Sequence, residues 1–321
     1  GDVFWLKENA ELLGVLASLG TPTPAQALSP LVSFFEEGAT MLRDFPQYYR
    51  FLLSICLDLE DLGLSARGQG EALCAQVARR GLAEAELSDL QRAEARRLLS
   101  RRGQGAAVGA GALGARLRRF IARCETFALP NRKAAYELTH IVYYLSDYGR
   151  RDPGLSPDAL ISLEYTGLLA FLDQDMDLLA EVCAAQRFAG ARPSPLWEAA
   201  VRRAHETHVL SDEGSAPLED DLHQWLVTGW ATEVAGTGAF VQEVPSGPLR
   251  VFHDCSPGGA LRPLAVCLRD LGARRSKDWD RMRPHVLSYL CPETHAVLVE
   301  AERSSPRFGD FFEGFARAGE A

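Results

Sequence analysis

Leu145-Ser146-Asp147-Tyr148-Gly149 closes a stretch of helical periodicity that begins near Asn131, and the same kind of ending recurs at Leu59-Glu60-Asp61-Leu62-Gly63 and at Leu268-Arg269-Asp270-Leu271-Gly272. A glycine just past the last periodic residue supplies the left-handed backbone that closes a helix. Gly20, followed by Pro22 and Pro24, and Gly190, after Arg187-Phe188-Ala189, read the same way. With Gly105 included, the stops at Gly20, Gly63, Gly105, Gly149 and Gly190 lie 41 to 44 residues apart, and Gly236, Gly272 and Gly314 continue the series less evenly. About 42 residues is what two helices and their turns require, and such a period is a signature of helical repeats. The expectation is an all-α chain of stacked helical hairpins, residues 1–321 as one helical-repeat domain, arranged as an α/α toroid or a solenoid.

Two stretches interrupt the pattern. Residues 103–114 are rich in glycine and alanine and read as a flexible loop. Residues 239–254 read as two short strands around Pro245-Ser246-Gly247-Pro248, a small β-hairpin.

Composition narrows the class. Apolar residues make up 47% and charged residues 24%, as in a folded globular chain. The net charge of −9 opposes general attraction to nucleic acid, whose affinity comes from neutralising phosphates. Seven dispersed cysteines with no Cys-x-x-Cys are neither a disulfide framework nor a zinc ribbon. Several lie in apolar runs, such as Cys56 and Cys267, where a thiol behaves as a small core residue and implies a reducing compartment. The first residues show no basic region followed by an apolar stretch, and no apolar run reaches the length of a membrane span. The expected location is cytoplasmic, with no membrane partner.

Chemistry-bearing residues fall in three groups. On the helix that ends at Gly149, Tyr136, His140, Tyr143, Tyr144 and Asp147 stand at i, i+4, i+7, i+8 and i+11, one stripe of a helix. Such a stripe lines a cavity, with His140 and Asp147 as acid and orienting group, or forms a buried tyrosine cluster. Next, His205 and His208 share a helix face, and Glu219, Asp220, Asp221 and His223 follow. With His253 from the predicted strand, this set can supply a 2-His-1-carboxylate or three-histidine site for Fe, Zn or Mn, and its alternative is a solvated face. Third, Asp173, Asp177 and Glu181 share a helix face; three acids in one stripe read first as solvated.

Two further motifs carry less. Gly109-Ala110-Gly111-Ala112-Leu113-Gly114 matches the dinucleotide fingerprint literally but lacks the surrounding strand–helix–strand unit, so no nucleotide cofactor is expected. The arginines Arg92, Arg96, Arg97, Arg101, Arg102, Arg116, Arg118 and Arg119 interleave with Glu84, Glu86, Asp89 and Glu94, which points to ion pairing between helix surfaces.

The segment Thr139-His140, six residues, Asp147-Tyr148-Gly149 resembles a signature of uncharacterised bacterial helical-repeat proteins. The likeness covers about a dozen residues and the acidic, leucine-rich helix that follows them. It implies a helical-repeat fold and singles out His140 and Asp147; it implies no reaction. Three functions fit these observations. The first is a metal-assisted enzyme acting on a small molecule or peptide in a helical cavity. The second is a non-enzymatic repeat module that binds a peptide or protein partner through exposed aromatics such as Trp225, Trp230 and Tyr143. The third is a metal-independent lyase or transferase using His140 and Asp147.

Overall fold

A computed structural model describes residues 3–65, 68–104, 110–212, 221–247, 249–253 and 258–317. The helices are α1 (Val3–Leu19), α2 (Ala25–Leu28), α3 (Val32–Asp44), α4 (Tyr49–Asp61), α5 (Gln69–Arg79), α6 (Asp89–Ser100), α7 (Ala110–Ile121), α8 (Cys124–Phe127) and α9 (Arg132–Ser146). They continue with α10 (Pro157–Asp173), α11 (Met176–Phe188), α12 (Pro195–Thr207), α13 (Leu222–Val234), α14 (Leu261–Leu271), α15 (Trp279–Tyr289), α16 (Pro292–Ser304) and α17 (Phe308–Ala316). Short strands β1 (Val209–Ser211) and β2 (Arg250–Phe252) pair antiparallel, Leu210 opposite Val251. The protein is therefore all-α with one small antiparallel sheet. No helix among the described residues is long and apolar enough to cross a membrane.

The chain divides into two compact units: Gly1–Leu117 with Tyr143–Arg151, and Arg118–Val142 with Asp152–Ala321. In the first, α4 is the central helix. Leu52, Leu53, Ile55, Cys56, Leu57 and Leu59 are buried on it, and α1, α3, α5 and α6 pack around it. A helix enclosed in this way must also bury its polar positions. Asp58 and Glu60 are buried, and arginines just past α6 compensate them. Arg101 reaches Asp58 at 2.7 Å and Asp61 at 2.8 Å, and Arg102 reaches Glu60 at 2.8 Å. Glu60 Oε1 also accepts the backbone N–H groups of Gly68 and Gly70, at 3.3 and 2.8 Å. A Cβ at Gly70 would lie 2.5 Å from Glu60 Oε2, so only glycine lets the backbone come this close. Part of the arginine district is thus buried structure, while Arg116 pairs with Asp89 on the surface as expected.

In the second unit α10 is buried nearly all round and packs against α8, α11, α14, α16 and α17. Gly167 on α10 admits the ring of Trp197, whose Cζ3 would stand 2.5 Å from an added Cβ. Trp197 Nε1–H donates to Ser304 Oγ at 2.9 Å, which satisfies the indole and fastens α12 to α16. Helix α11 packs against α10, α12 and α13 in turn, with Leu179, Ala180, Val182, Cys183, Ala184 and Ala185 buried.

The helix stops behave individually. Gly20, Gly63, Gly149, Gly190, Gly236 and Gly272 have positive φ, as their role requires. Gly314 does not end a helix: it lies inside α17, where it lets that helix approach Ala128. Gly105 lies outside the described residues. At Gly149 the left-handed backbone starts two residues early, with φ of 49° at Asp147 and 54° at Tyr148. The expected loop at 103–114 is shorter than its composition suggests. Helix α7 takes over at Ala110, and Leu113, Leu117 and Ile121, one turn apart, are buried along one face. Burial of that stripe outweighs the helix-weakening effect of Gly111 and Gly114, roughly 1 kcal/mol each.

The sheet also differs in its partner. The second expected strand is β2, but it pairs with Val209–Ser211. Residues 239–247 hold no strand, and the first two backbone donors of this stretch go to side chains. Ala239 N–H binds Glu233 Oε1 at 2.5 Å, and Phe240 N–H binds His205 Nε2 at 3.1 Å.

The compensated carboxylate in the first unit gives a direct test. Arg102→Met leaves Glu60, with a fully buried side chain, facing no guanidinium. Breaking a buried pair from one side costs about 3–5 kcal/mol. Urea denaturation should show that loss, and Arg102→Met combined with Glu60→Gln should recover part of it. A single-variant loss of under about 1 kcal/mol, the range of exposed pairs, would contradict the reading.

Candidate metal centre

The strongest convergence of chemical groups is made by α11, the first turn of α13 and the middle of α9. Asp177 and Glu181 stand at i and i+4 on α11, on one face. His223 comes in from α13. One ligand atom from each of Asp177, Glu181 and His223 lies within 4.8 Å of the others. His223 Nε2 is 3.3 Å from Asp177 Oδ1. That oxygen is itself buried and makes no hydrogen bond.

Glu181 is the deepest member. Thr139 on α9, fully buried, donates its hydroxyl to Glu181 Oε2 at 2.6 Å. His140 Nδ1 lies 3.9 Å from the same oxygen and 3.0 Å from the Tyr136 carbonyl. The rings of Tyr136 and His140 sit 3.8 Å apart. Burial pushes the Glu181 carboxyl up to about 8; the Thr139 hydroxyl opposes the shift and the charge of Asp177 adds to it. The side chains of His223 and Asp177 are 40% and 35% exposed, so the group is deep on one side and open to solvent on the other.

These atoms suit a divalent cation. Two carboxylates and an imidazole supply oxygen and nitrogen donors of the kind that hold Fe(II), Zn(II) or Mn(II). A cation removes the repulsion between Asp177 and Glu181 and supplies the charge that burial denies Glu181.

The other expected ligands are used differently. His205 is buried; its Nδ1 lies 3.1 Å from the Trp225 carbonyl and its Nε2 accepts the Phe240 N–H. Both ring nitrogens are spent on backbone, so His205 is a neutral structural imidazole and does not chelate with His208. His208 is buried beside it, with Nε2 3.2 Å from Gln224 Oε1. The His208 ring lies 5.3 Å from that of His253. His253 Nδ1 is 2.9 Å from Asp221 Oδ2, and the His253 N–H donates to the same oxygen at 3.2 Å. This second cluster pins the end of β2 to the start of α13. Asp220, the remaining expected ligand, lies outside the described residues.

The tyrosine stripe is divided as well. Tyr136 and His140 adjoin Glu181. Tyr143 and Tyr144 are buried and pack on Tyr148, with centroids 5.5 and 6.4 Å away. Asp147 accepts from Arg97 Nε at 2.8 Å, and the Arg97 guanidinium lies 4.4 Å from the Tyr148 ring centre. Asp147 therefore anchors a helix end, and the carboxylate beside His140 is that of Glu181. Trp225, Trp230 and Tyr143, expected as exposed binding aromatics, are all buried.

Asp177 and Glu181 carry the site, although their spacing read first as a solvated stripe. The signal against that reading is their setting: Met176, Leu178, Leu179, Ala180, Val182, Cys183 and Ala184 surround them. A helix apolar on every side is enclosed, and an acid in its middle is buried with it.

Fold and site together define an all-α protein with a histidine–carboxylate cluster between helices. The chain belongs to the family described as a domain of unknown function (DUF6902), whose model matches residues 1–318. Comparison with curated proteins gives no match, and comparison with solved structures gives none.

Burial lowers the proton affinity of both His205 and His208 below the usual imidazole value. The unfolded chain then takes up protons first as pH falls. Stability contributed by the neutral rings is complete above about pH 6.5, the unperturbed value, and is lost below it. The share of the unfolding free energy that these two rings contribute, read as the difference between wild type and a histidine variant, should be flat above pH 7 and fall as pH drops below 6.5, by at most about 1.4 kcal/mol per pH unit for each histidine. His205→Asn should melt lower at pH 7.5 but show a shallower acid slope. An unchanged slope would show that His205 does not titrate in this way.

Proposed function

We propose that Asp177, Glu181 and His223 bind a divalent metal ion, Fe(II), Zn(II) or Mn(II), and that the protein is a metal-assisted enzyme acting on a small molecule or peptide. The observation that carries this reading is the convergence of one ligand atom each from Asp177, Glu181 and His223 within 4.8 Å of one another, with Glu181 buried. A buried carboxylate holds its charge at less cost when positive charge stands beside it, and a cation held by these three side chains would supply that charge next to the oxygen that accepts the Thr139 hydroxyl. Three protein ligands leave coordination positions for water and substrate, the arrangement of catalytic rather than structural centres. In that role a bound ion polarises a substrate oxygen or lowers the pKa of its water. His140, 3.9 Å from Glu181, then serves as the proton-transfer group, and the half-exposed Tyr136 ring stacked on it forms part of the substrate wall. This places the acid–base role of His140 with Glu181 in place of Asp147. The helical-repeat architecture belongs to the same proposal: α5 with α6 and α10 with α11 each fill one interval between stops, and the other two intervals from Gly20 to Gly190 hold two longer helices and a four-residue one.

Calorimetry and thermal melting of protein purified without a histidine tag test the proposal. Addition of Mn(II), Fe(II) or Zn(II) should raise the melting temperature of the wild type. Glu181→Gln should abolish the rise, and His223→Gln should weaken cation binding by roughly tenfold or more. Glutamine keeps the Thr139 hydrogen bond without a buried charge, so Glu181→Gln should melt at or above the wild type when no cation is added. His140→Ala should still bind the ion. An equal cation response in wild type and Glu181→Gln would overturn the site.

A further inference from the structure

A second cavity in the unit of Arg118–Val142 and Asp152–Ala321 has no role in the metal reading. It encloses about 270 Å³, below the ~300–1,000 Å³ of drug-sized sites, so its occupant is small. Its interior is apolar, formed by Phe127, Leu129, Leu169, Ala170, Leu178 and Leu261. Its polar members are Asn131, Arg132, Thr166, Asp173 and Asp175.

The polar groups are not equivalent. Asn131 Oδ1 caps α9 by accepting the Ala134 N–H at 3.1 Å. Asp175 Oδ1 caps α11 by accepting the Leu178 N–H at 3.1 Å, and its Oδ2 pairs with Arg132 at 3.0 Å. Thr166 spends its hydroxyl on the Ser162 carbonyl at 2.8 Å. Both helix N-termini at the cavity are therefore capped by their own side chains and offer little to an anion. Asp173 is the exception: its carboxylate makes no hydrogen bond and no close ion pair among the described residues. It also ends α10, a 17-residue helix whose C-terminus carries partial negative charge. Asp173 backbone is held in place from outside, since a Cβ on Gly259 would lie 2.6 Å from the Asp173 carbonyl oxygen. Gly259 thus lets the chain cross that helix end and bring Leu261 in as a wall.

We infer that this cavity binds a small organic amine, its apolar body against Phe127, Leu169 and Leu261 and its ammonium group on Asp173. The carboxylate and the helix C-terminus both favour a cation, and the apolar interior selects an organic one over a bare metal ion. Partial burial and the charge of Asp175 raise the proton affinity of Asp173, and Arg132, which pairs with Asp175, opposes the shift.

Three isosteric probes test this at pH 7 by calorimetry or protein NMR: 2-phenylethylamine, 2-phenylethanol and 3-phenylpropionate. The amine should bind roughly tenfold or more tightly than the alcohol, and the carboxylate weakest of all. Asp173→Asn should remove the preference for the amine, and Asp173→Lys should reverse it toward the carboxylate. Asp173 is exposed enough for both variants to fold, and their melting curves check that. Equal binding of amine and alcohol, tighter binding of the carboxylate, or an unchanged preference in Asp173→Asn would each overturn the inference. None of these outcomes depends on Asp177, Glu181 or His223 binding a metal ion.

Discussion

The need to compensate buried carboxylates organises both units of this protein. Each unit has a helix enclosed by neighbours, α4 in one and α11 in the other, and each of those helices carries a glutamate inside its packing. Glu60 is answered by the guanidinium of Arg102 and by two backbone N–H groups that glycines bring within reach. Glu181 accepts the Thr139 hydroxyl and stands beside Asp177 and His223. Residue type and depth are alike, yet a guanidinium sits on one acid while an imidazole and a second carboxylate stand beside the other. Glu60 is complete as structure. In the proposed reading, a cation at Asp177, Glu181 and His223 lets Glu181 hold its charge.

The first turn of α13 connects this centre to its surroundings. Asp221 takes His253 at the end of β2, His223 faces Asp177 on α11, and Gln224 meets His208 at the end of α12. Three successive polar contacts thus leave one helix start in three directions. An ion held by His223 would fix the helix that also anchors the sheet and the buried pair His205–Trp225. The histidines that look like one ligand set in the sequence are therefore distributed: one faces the acids and the others hold the framework that aims it.

Local sequence made the helices legible, and with them the all-α class. Glycine stops and apolar periodicity act within one or two turns, so the endings at Gly63, Gly149 and Gly272 could be read without knowing any tertiary contact. Pairing over long distances was less legible. Strand β2 was visible as Arg250–Phe252, but nothing near it indicates that its partner lies at Val209–Ser211, about forty residues earlier. The same limit governs the site. His140 and His223 stood out by residue type, while Asp177 and Glu181 looked like an exposed stripe because i, i+4 spacing is identical on a wet and a dry helix face. The discriminating fact is on the other faces of α11, whose apolar residues bury most of the helix and Glu181 with it.

Asp147 shows how a shared motif can carry different physics. In Leu-x-Asp-x-Gly, Asp61 and Asp270 still belong to their helices, whereas Asp147 and Tyr148 are already left-handed. Non-glycine residues held there cost of order 1–3 kcal/mol each and persist only where other contacts fix them. Here the fixing is visible: Arg97 bonds the Asp147 carboxylate and covers the Tyr148 ring, while Tyr143 stacks on that ring from α9. Tyr143, Tyr144 and Asp147 of the stripe thus support an unusual helix end, while Tyr136 and His140 adjoin Glu181. The contacts divide the polar stripe of this helix into an anchor at Asp147 and, at the other end, His140 beside the buried Glu181.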